Sequence, residues 1–141
     1  MTQLLFALLV AILPPQTAPA GMVGTWVADL NGTTFVRLEL RTENGRLIGA
    51  LGTGDIHIDK NGLVDSAKSA PETLTPLTNM VIARGMMSFN RTQGDDIERF
   101  RMRVTGERTA ELTFLPSDED LEEMKEAGIP APKPIALRKL R

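Results

Sequence analysis

The chain has 141 residues, with no cysteine, no tyrosine, one tryptophan and one histidine. Without cysteine there is neither a disulfide framework nor a thiol for lipid attachment, so packing alone must hold the fold. Aromatic residues make up only 4% of the chain and its pI is near 5.4, which excludes the basic, ring-bearing surface of a nucleic-acid binder. No serine sits in a G-x-S-x-G setting and no second histidine exists to share a metal, so the inventory for nucleophilic or metal-assisted catalysis is poor. These absences point away from an enzyme and imply no cofactor. The net charge of −2 conceals one imbalance, because Asp118 to Glu126 is acidic at every position but Leu121, Met124 and Lys125.

What is present begins with residues 1–20, which carry no charged side chain. Leu4 to Leu13 is a continuous apolar run, too short for a hydrocarbon core that needs about 20 residues but of the length of a signal-peptide h-region. Thr17 to Ala20 reads TAPA and places small residues for cleavage after Ala20. The expectation is a signal peptide over 1–20 and a secreted or periplasmic domain over 21–141, with no stable membrane span after cleavage and an uncleaved anchor as the alternative. That remainder has the length of one domain on one core.

The domain is organised around Gly24 to Leu40, where two strand-forming runs flank Asn31-Gly32. Asn-Gly between β-formers is the strongest short hairpin signal, because a type I′ turn needs positive φ at both central residues. Trp26 stands at the start of the first run. A buried tryptophan removes roughly 150 to 250 Å² from water, about 4 to 6 kcal/mol before entropy is subtracted, and can plug one end of a barrel.

In strand two Val36, Leu38 and Leu40 alternate with Arg37, Glu39 and Arg41, a period of two with one face buried. Turns recur at Asn44-Gly45, Asn61-Gly62, Gly85 and Gly94, separating strands over Arg46 to Gly52, Asp55 to Asp59, Met80 to Ala83, Met86 to Arg91, Ile97 to Val104 and Thr109 to Leu115. Gly49 and Gly52 suggest bends or bulges in strand three. Ser66 to Pro76 reads as a surface loop. Ser117 caps a short acidic helix that ends at Gly128, and Ile135 to Leu140 is a last strand that would close the sheet. The pattern predicts an all-β fold, an up-and-down antiparallel barrel of about eight strands with one short helix before the last strand.

Gly24-Thr25-Trp26 resembles the G-x-W opening of the lipocalin and avidin (calycin-type) barrels, and Gly24 to Leu51 is similar to the avidin opening. The chain also looks like small exported bacterial barrel domains that begin with such a tryptophan and end as Pro134 to Arg138 does. The resemblance implies that Gly24 and Trp26 close one end of the barrel. It also implies that an arginine of the last strand, Arg138 or Arg141, stacks over the ring. Biotin binding in avidins depends on further tryptophans and a tyrosine that this chain lacks, so the resemblance bears on the fold and leaves the ligand open.

Several polar sets invite a site. Asp55, His57 and Asp59 project from one face of one strand and offer metal ligands or an acid–base pair. A simply solvated face outweighs that reading, because metal sites draw ligands from more than one element, and no metal is expected. His57 to Lys68 resembles an EF-hand fragment but carries His57 and Lys68 where carboxylates are required. Arg99, Arg101 and Arg103, joined by Arg37 and Arg41, form either a basic stripe or the wet face of strands neutralised by Glu39, Glu98 and Glu111. Met80, Met86, Met87 and Met102 suit either an adaptable pocket or core filling.

The reading is therefore an exported, non-enzymatic β-barrel that holds a small apolar or amphipathic ligand. Val36, Leu38, Leu40, Phe89, Phe100, Met102 and Phe114 are expected to face that ligand. An eight-stranded barrel is either filled or hollow, and if filled the alternative is a domain that binds or inhibits an envelope protein through Ser66 to Pro76 and the acidic helix.

Overall fold

Asn31 and Gly32 adopt φ of 50° and 82°, the two positive values of a type I′ turn, and join β1 (Gly24–Leu30) to β2 (Thr33–Glu43). The structure, a computed structural model, describes residues 21–141; the expected leader over 1–20 and its cleavage point lie outside the described residues. A second turn of the same kind at Asn44-Gly45, with φ of 51° and 74°, leads into β3 (Arg46–Thr53). The chain continues through β4 (Ile56–Ile58), β5 (Val64–Ala67), β6 (Thr75–Pro76), β7 (Thr78–Ala83) and β8 (Met86–Gln93). Then follow β9 (Asp96–Val104), β10 (Thr109–Leu115), the helix α1 (Asp118–Glu126) and β11 (Ile135–Lys139).

Nine of these strands form one antiparallel sheet in the order β6-β3-β2-β1-β11-β10-β9-β8-β7. Its two ends belong to one pass of the chain. Ala50 pairs with Pro76 on one side and Thr78 with Asn90 on the other, while the N–H of Leu77, between β6 and β7, donates to the Gly49 carbonyl at 2.9 Å. Counting 75–83 as a single bent pass, eight passes surround the interior, and the fold is the all-β barrel with one short helix before its last strand that the turn rhythm predicts. The β4–β5 hairpin is a separate two-stranded sheet.

One end of the barrel is closed by Trp26, fully buried and opposite Leu38 on β2 and Lys139 on β11. Its indole N–H donates to the Met22 carbonyl at 2.9 Å, and Met22 is itself fully buried. The cation over the ring is not Arg138. Lys139 Nζ lies 5.6 Å from the Trp26 centroid and donates to the Gly21 carbonyl at 3.0 Å. Strand alternation is the reason: Lys139 is in register with Trp26 and shares its face, whereas Arg138 is in register with Val27 and faces outward. Gly24 fits this corner because its φ is +143° and a Cβ there would lie 2.5 Å from Lys139 Cε.

Arg138 instead locks the β1–β11 seam from outside, its Nε donating to Asp29 Oδ2 at 2.8 Å. Thr34 Oγ1 donates to the other oxygen of the same carboxylate. These hydrogen bonds, Thr34's first and Arg138's second, and then the Arg138 charge, hold the Asp29 pKa below its usual value against an opposing effect of partial burial. A depressed folded-state pKa stabilises above the unfolded value and is lost as pH falls through the folded one. Asp29→Asn should therefore lower stability by about 1 kcal/mol near neutral pH and by progressively less as the pH drops below about 4. Thermal melts of both proteins across that range check this, and an equal gap at all pH values would refute it.

Two local expectations change. The β2–β3 register runs unbroken from Val36↔Thr53 to Glu43↔Arg46, so Gly49 and Gly52 mark no bulge. They make room, since a Cβ on Gly49 would lie 2.7 Å from Leu40 Cδ2 and one on Gly52 2.6 Å from Leu74 Cδ2. The register shift falls between Ala28 and Asp29 of β1 and leaves Phe35 as an extra residue on β2, so that Phe35 and Val36 are both buried in the core cluster.

Candidate functional site

The far end of the barrel is open. There the first residues of β2, β9 and β11 and the last of β3, β8 and β10 surround a cavity of about 450 Å³, within the size range of small-molecule sites. Its walls are mainly apolar: Phe35, Val36, Phe100, Leu112, Phe114 and Ile135 come from the barrel. Phe89, Phe100 and Phe114 form a ring series, with Phe89 and Phe100 stacked at 5.5 Å and Phe100 and Phe114 edge-to-face at 5.6 Å.

Two segments outside the wall rim the mouth. Asp55, Ile56 and Ile58 from β4 and its approach line the cavity, as do Met124 of α1 and Pro132 after it. The β4 segment is held at its root, where the Gly54 N–H donates to the Phe35 carbonyl at 2.8 Å and the Lys68 N–H to the Asp55 carbonyl at 2.8 Å. Ser66 to Pro76 is accordingly not a free loop: its first residues belong to β5, its last form β6, and the Ala70 N–H donates to the Thr34 carbonyl at 2.9 Å between them. The helix begins where Ser117 Oγ accepts the Asp120 N–H at 3.1 Å. It stops as Gly128 turns with φ of 69° and the Ile129 N–H donates back to the Met124 carbonyl at 2.8 Å.

The cavity also holds a charge the sequence reading missed. Arg91, on β8, is only 2% exposed. Its Nε donates to Glu98 Oε1 at 3.1 Å, and Nη2 donates to Oε1 at 2.9 Å and Oε2 at 3.0 Å. The guanidinium carbon lies 5.3 Å from the Phe100 centroid. The third nitrogen, Nη1, is buried and has no hydrogen-bond partner among the described residues.

Of the residues expected to face a ligand, Val36, Phe100 and Phe114 line the cavity. Leu38, Leu40, Phe89 and Met102 are buried in the core cluster and do not line it. Met87 is buried there too, and Met80 packs against it. The set Asp55, His57 and Asp59 does not converge. Asp59 Oδ1 accepts the Asn61 and Leu63 N–H groups at 2.8 and 3.0 Å, an Asx turn, while His57 Nδ1 meets Asp65 Oδ1 at 2.6 Å on the exposed hairpin. Among the described residues no cluster of three or more His, Cys, Asp or Glu could hold a metal ion. The EF-hand-like stretch is this β4–β5 hairpin.

The basic stripe divides as well. β1, β11 and β10 separate β2 from β9, so Arg37 and Arg41 do not join Arg99, Arg101 and Arg103. Arg103 pairs with Glu111 at 2.9 Å, whereas Glu98 is turned inward to Arg91 and leaves the stripe. No family model matches the chain, and no curated protein or solved structure matches it.

Proposed function

We propose that this chain is an exported, non-enzymatic β-barrel that binds a small apolar or amphipathic molecule in the cavity at its open end. The observation that carries the reading is the contrast between the two ends. Trp26 and Met22 pack one end solid, while the other retains about 450 Å³ bounded by phenylalanine and aliphatic side chains. A hollow of that composition favours an apolar guest, because each buried CH₂ contributes about 0.8 kcal/mol. The single imidazole, on His57, does not line the cavity, which supports a binding role over a catalytic one. Export rests on the sequence of residues 1–20 alone. Among the described residues no helix is long and apolar enough to cross a membrane.

Titration of the purified protein with the neutral fluorophore N-phenyl-1-naphthylamine tests the reading. One saturable site is expected. Phe100→Asp should abolish it and Met124→Trp, which narrows the mouth without touching the core, should weaken it at least about tenfold. Absence of binding by the wild-type protein, or equal binding by a folded Met124→Trp, would refute the cavity as the site.

A further inference from the structure

The Arg91–Glu98 pair defines what the guest must carry. Arginine stays protonated at any relevant pH and presents five N–H donors in a fixed fork. Glu98 takes those of Nε and one edge of Nη2, and Nη1 is left buried without an acceptor. A buried donor in that condition needs a partner, and Arg91 itself lines the cavity. A guest occupying that space is therefore positioned to bring an acceptor to this side chain.

Charge decides its kind. Among the described residues the ionisable groups lining the cavity are Arg91, Glu98 and Asp55, two carboxylates against one guanidinium. The guanidinium is already neutralised by a bidentate partner. A ligand carboxylate would enter beside two like charges and would surrender its hydration to an apolar wall. An uncharged carbonyl oxygen accepts from Nη1 without either cost. Resting on the reading of this cavity as a binding site, we infer that the ligand is an apolar molecule bearing one uncharged carbonyl, as a ketone, ester or amide, whose oxygen accepts a hydrogen bond from Arg91 Nη1.

Displacement of N-phenyl-1-naphthylamine by 2-nonanone, nonane and nonanoate separates the possibilities. In the wild-type protein 2-nonanone should bind more tightly than nonanoate. Exchanging the pair for Arg91→Met with Glu98→Leu should shift the affinity ratio of 2-nonanone to nonane at least about tenfold in favour of nonane. A second measurement needs no variant: the infrared carbonyl stretch of 2-nonanone bound to the wild-type protein should fall below its value in hexane, as hydrogen bonding requires. A hexane-like stretch, or an unchanged ratio in the folded double variant, would overturn the carbonyl assignment while fluorophore binding kept the cavity reading intact. Tighter binding of nonanoate than of 2-nonanone would overturn the uncharged class. Failure of the fluorophore to bind would remove both readings together.

Discussion

Glu98→Ala is expected to destabilise the protein by about 3 kcal/mol, read as a fall in the urea midpoint at unchanged slope. The reason lies in what the substitution leaves behind. The Arg91 side chain is a guanidinium and is 2% exposed, so removing its partner strands a charge in a wall of phenylalanine. Losing one member of a fully buried pair costs about 3 to 5 kcal/mol. The lower end applies here because the Glu98 side chain is 26% exposed, which lets water approach the vacated side. Removing both charges has the opposite logic. Arg91→Met with Glu98→Leu deletes the desolvation cost together with the attraction, and the orphaned Nη1 with them, so it should lie within about 1 kcal/mol of the wild type or above it. A small loss for Glu98→Ala would mean that the guanidinium is hydrated in solution. A large loss for the double variant would mean that the pair does more for the fold than its geometry accounts for.

This pair also marks how far the sequence could be read. The barrel was legible because its signals are local: Asn-Gly turns dictate hairpins, and alternation assigns the faces of β2, β9 and β10. The same alternation already contained the site. Extending Phe100, Met102 and Val104 back by two places Glu98 inside, and extending Met87 and Phe89 forward by two places Arg91 opposite it. Both charged residues were in phase with the core. The sequence alone assigns Glu98 to the wet stripe as a partner of the neighbouring arginines, because a charge near a turn is usually solvated, and only the register shows it facing Arg91. Phe35 was illegible for a different reason. It is out of phase with Val36 and becomes a core residue only through the shift at Ala28, which a strict period of two cannot reveal. The choice of Lys139 over Arg138 depends on the β1–β11 register, a pairing of chain ends that no local signal fixes. The division into one packed and one open end is likewise a property of the closed barrel and of no single strand.

Trp26→Ala should remove about 4 kcal/mol, enough to unfold a domain of ordinary stability near its melting temperature. The indole is fully buried among Met22, Leu38 and the other residues of the core cluster, and barrel walls cannot collapse inward to fill the void as a loose helix pair can. Trp26→Phe divides the loss into its parts. It keeps most of the apolar body and a ring beneath Lys139, but it leaves the Met22 carbonyl buried without its donor, at about 1 to 3 kcal/mol. The segment before β1 is tied to the barrel through that carbonyl and through the Gly21 carbonyl, which accepts a hydrogen bond from Lys139 Nζ. Loosening of residues 21–23 should therefore accompany Trp26→Phe, measured as faster amide hydrogen exchange there, while the open end and its probe affinity stay unchanged. Equal destabilisation by both variants would place the whole effect in the hydrogen bond. A loss below about 2 kcal/mol for Trp26→Ala would show that other side chains move into the space, and that the closed end is less rigidly packed than its burial indicates.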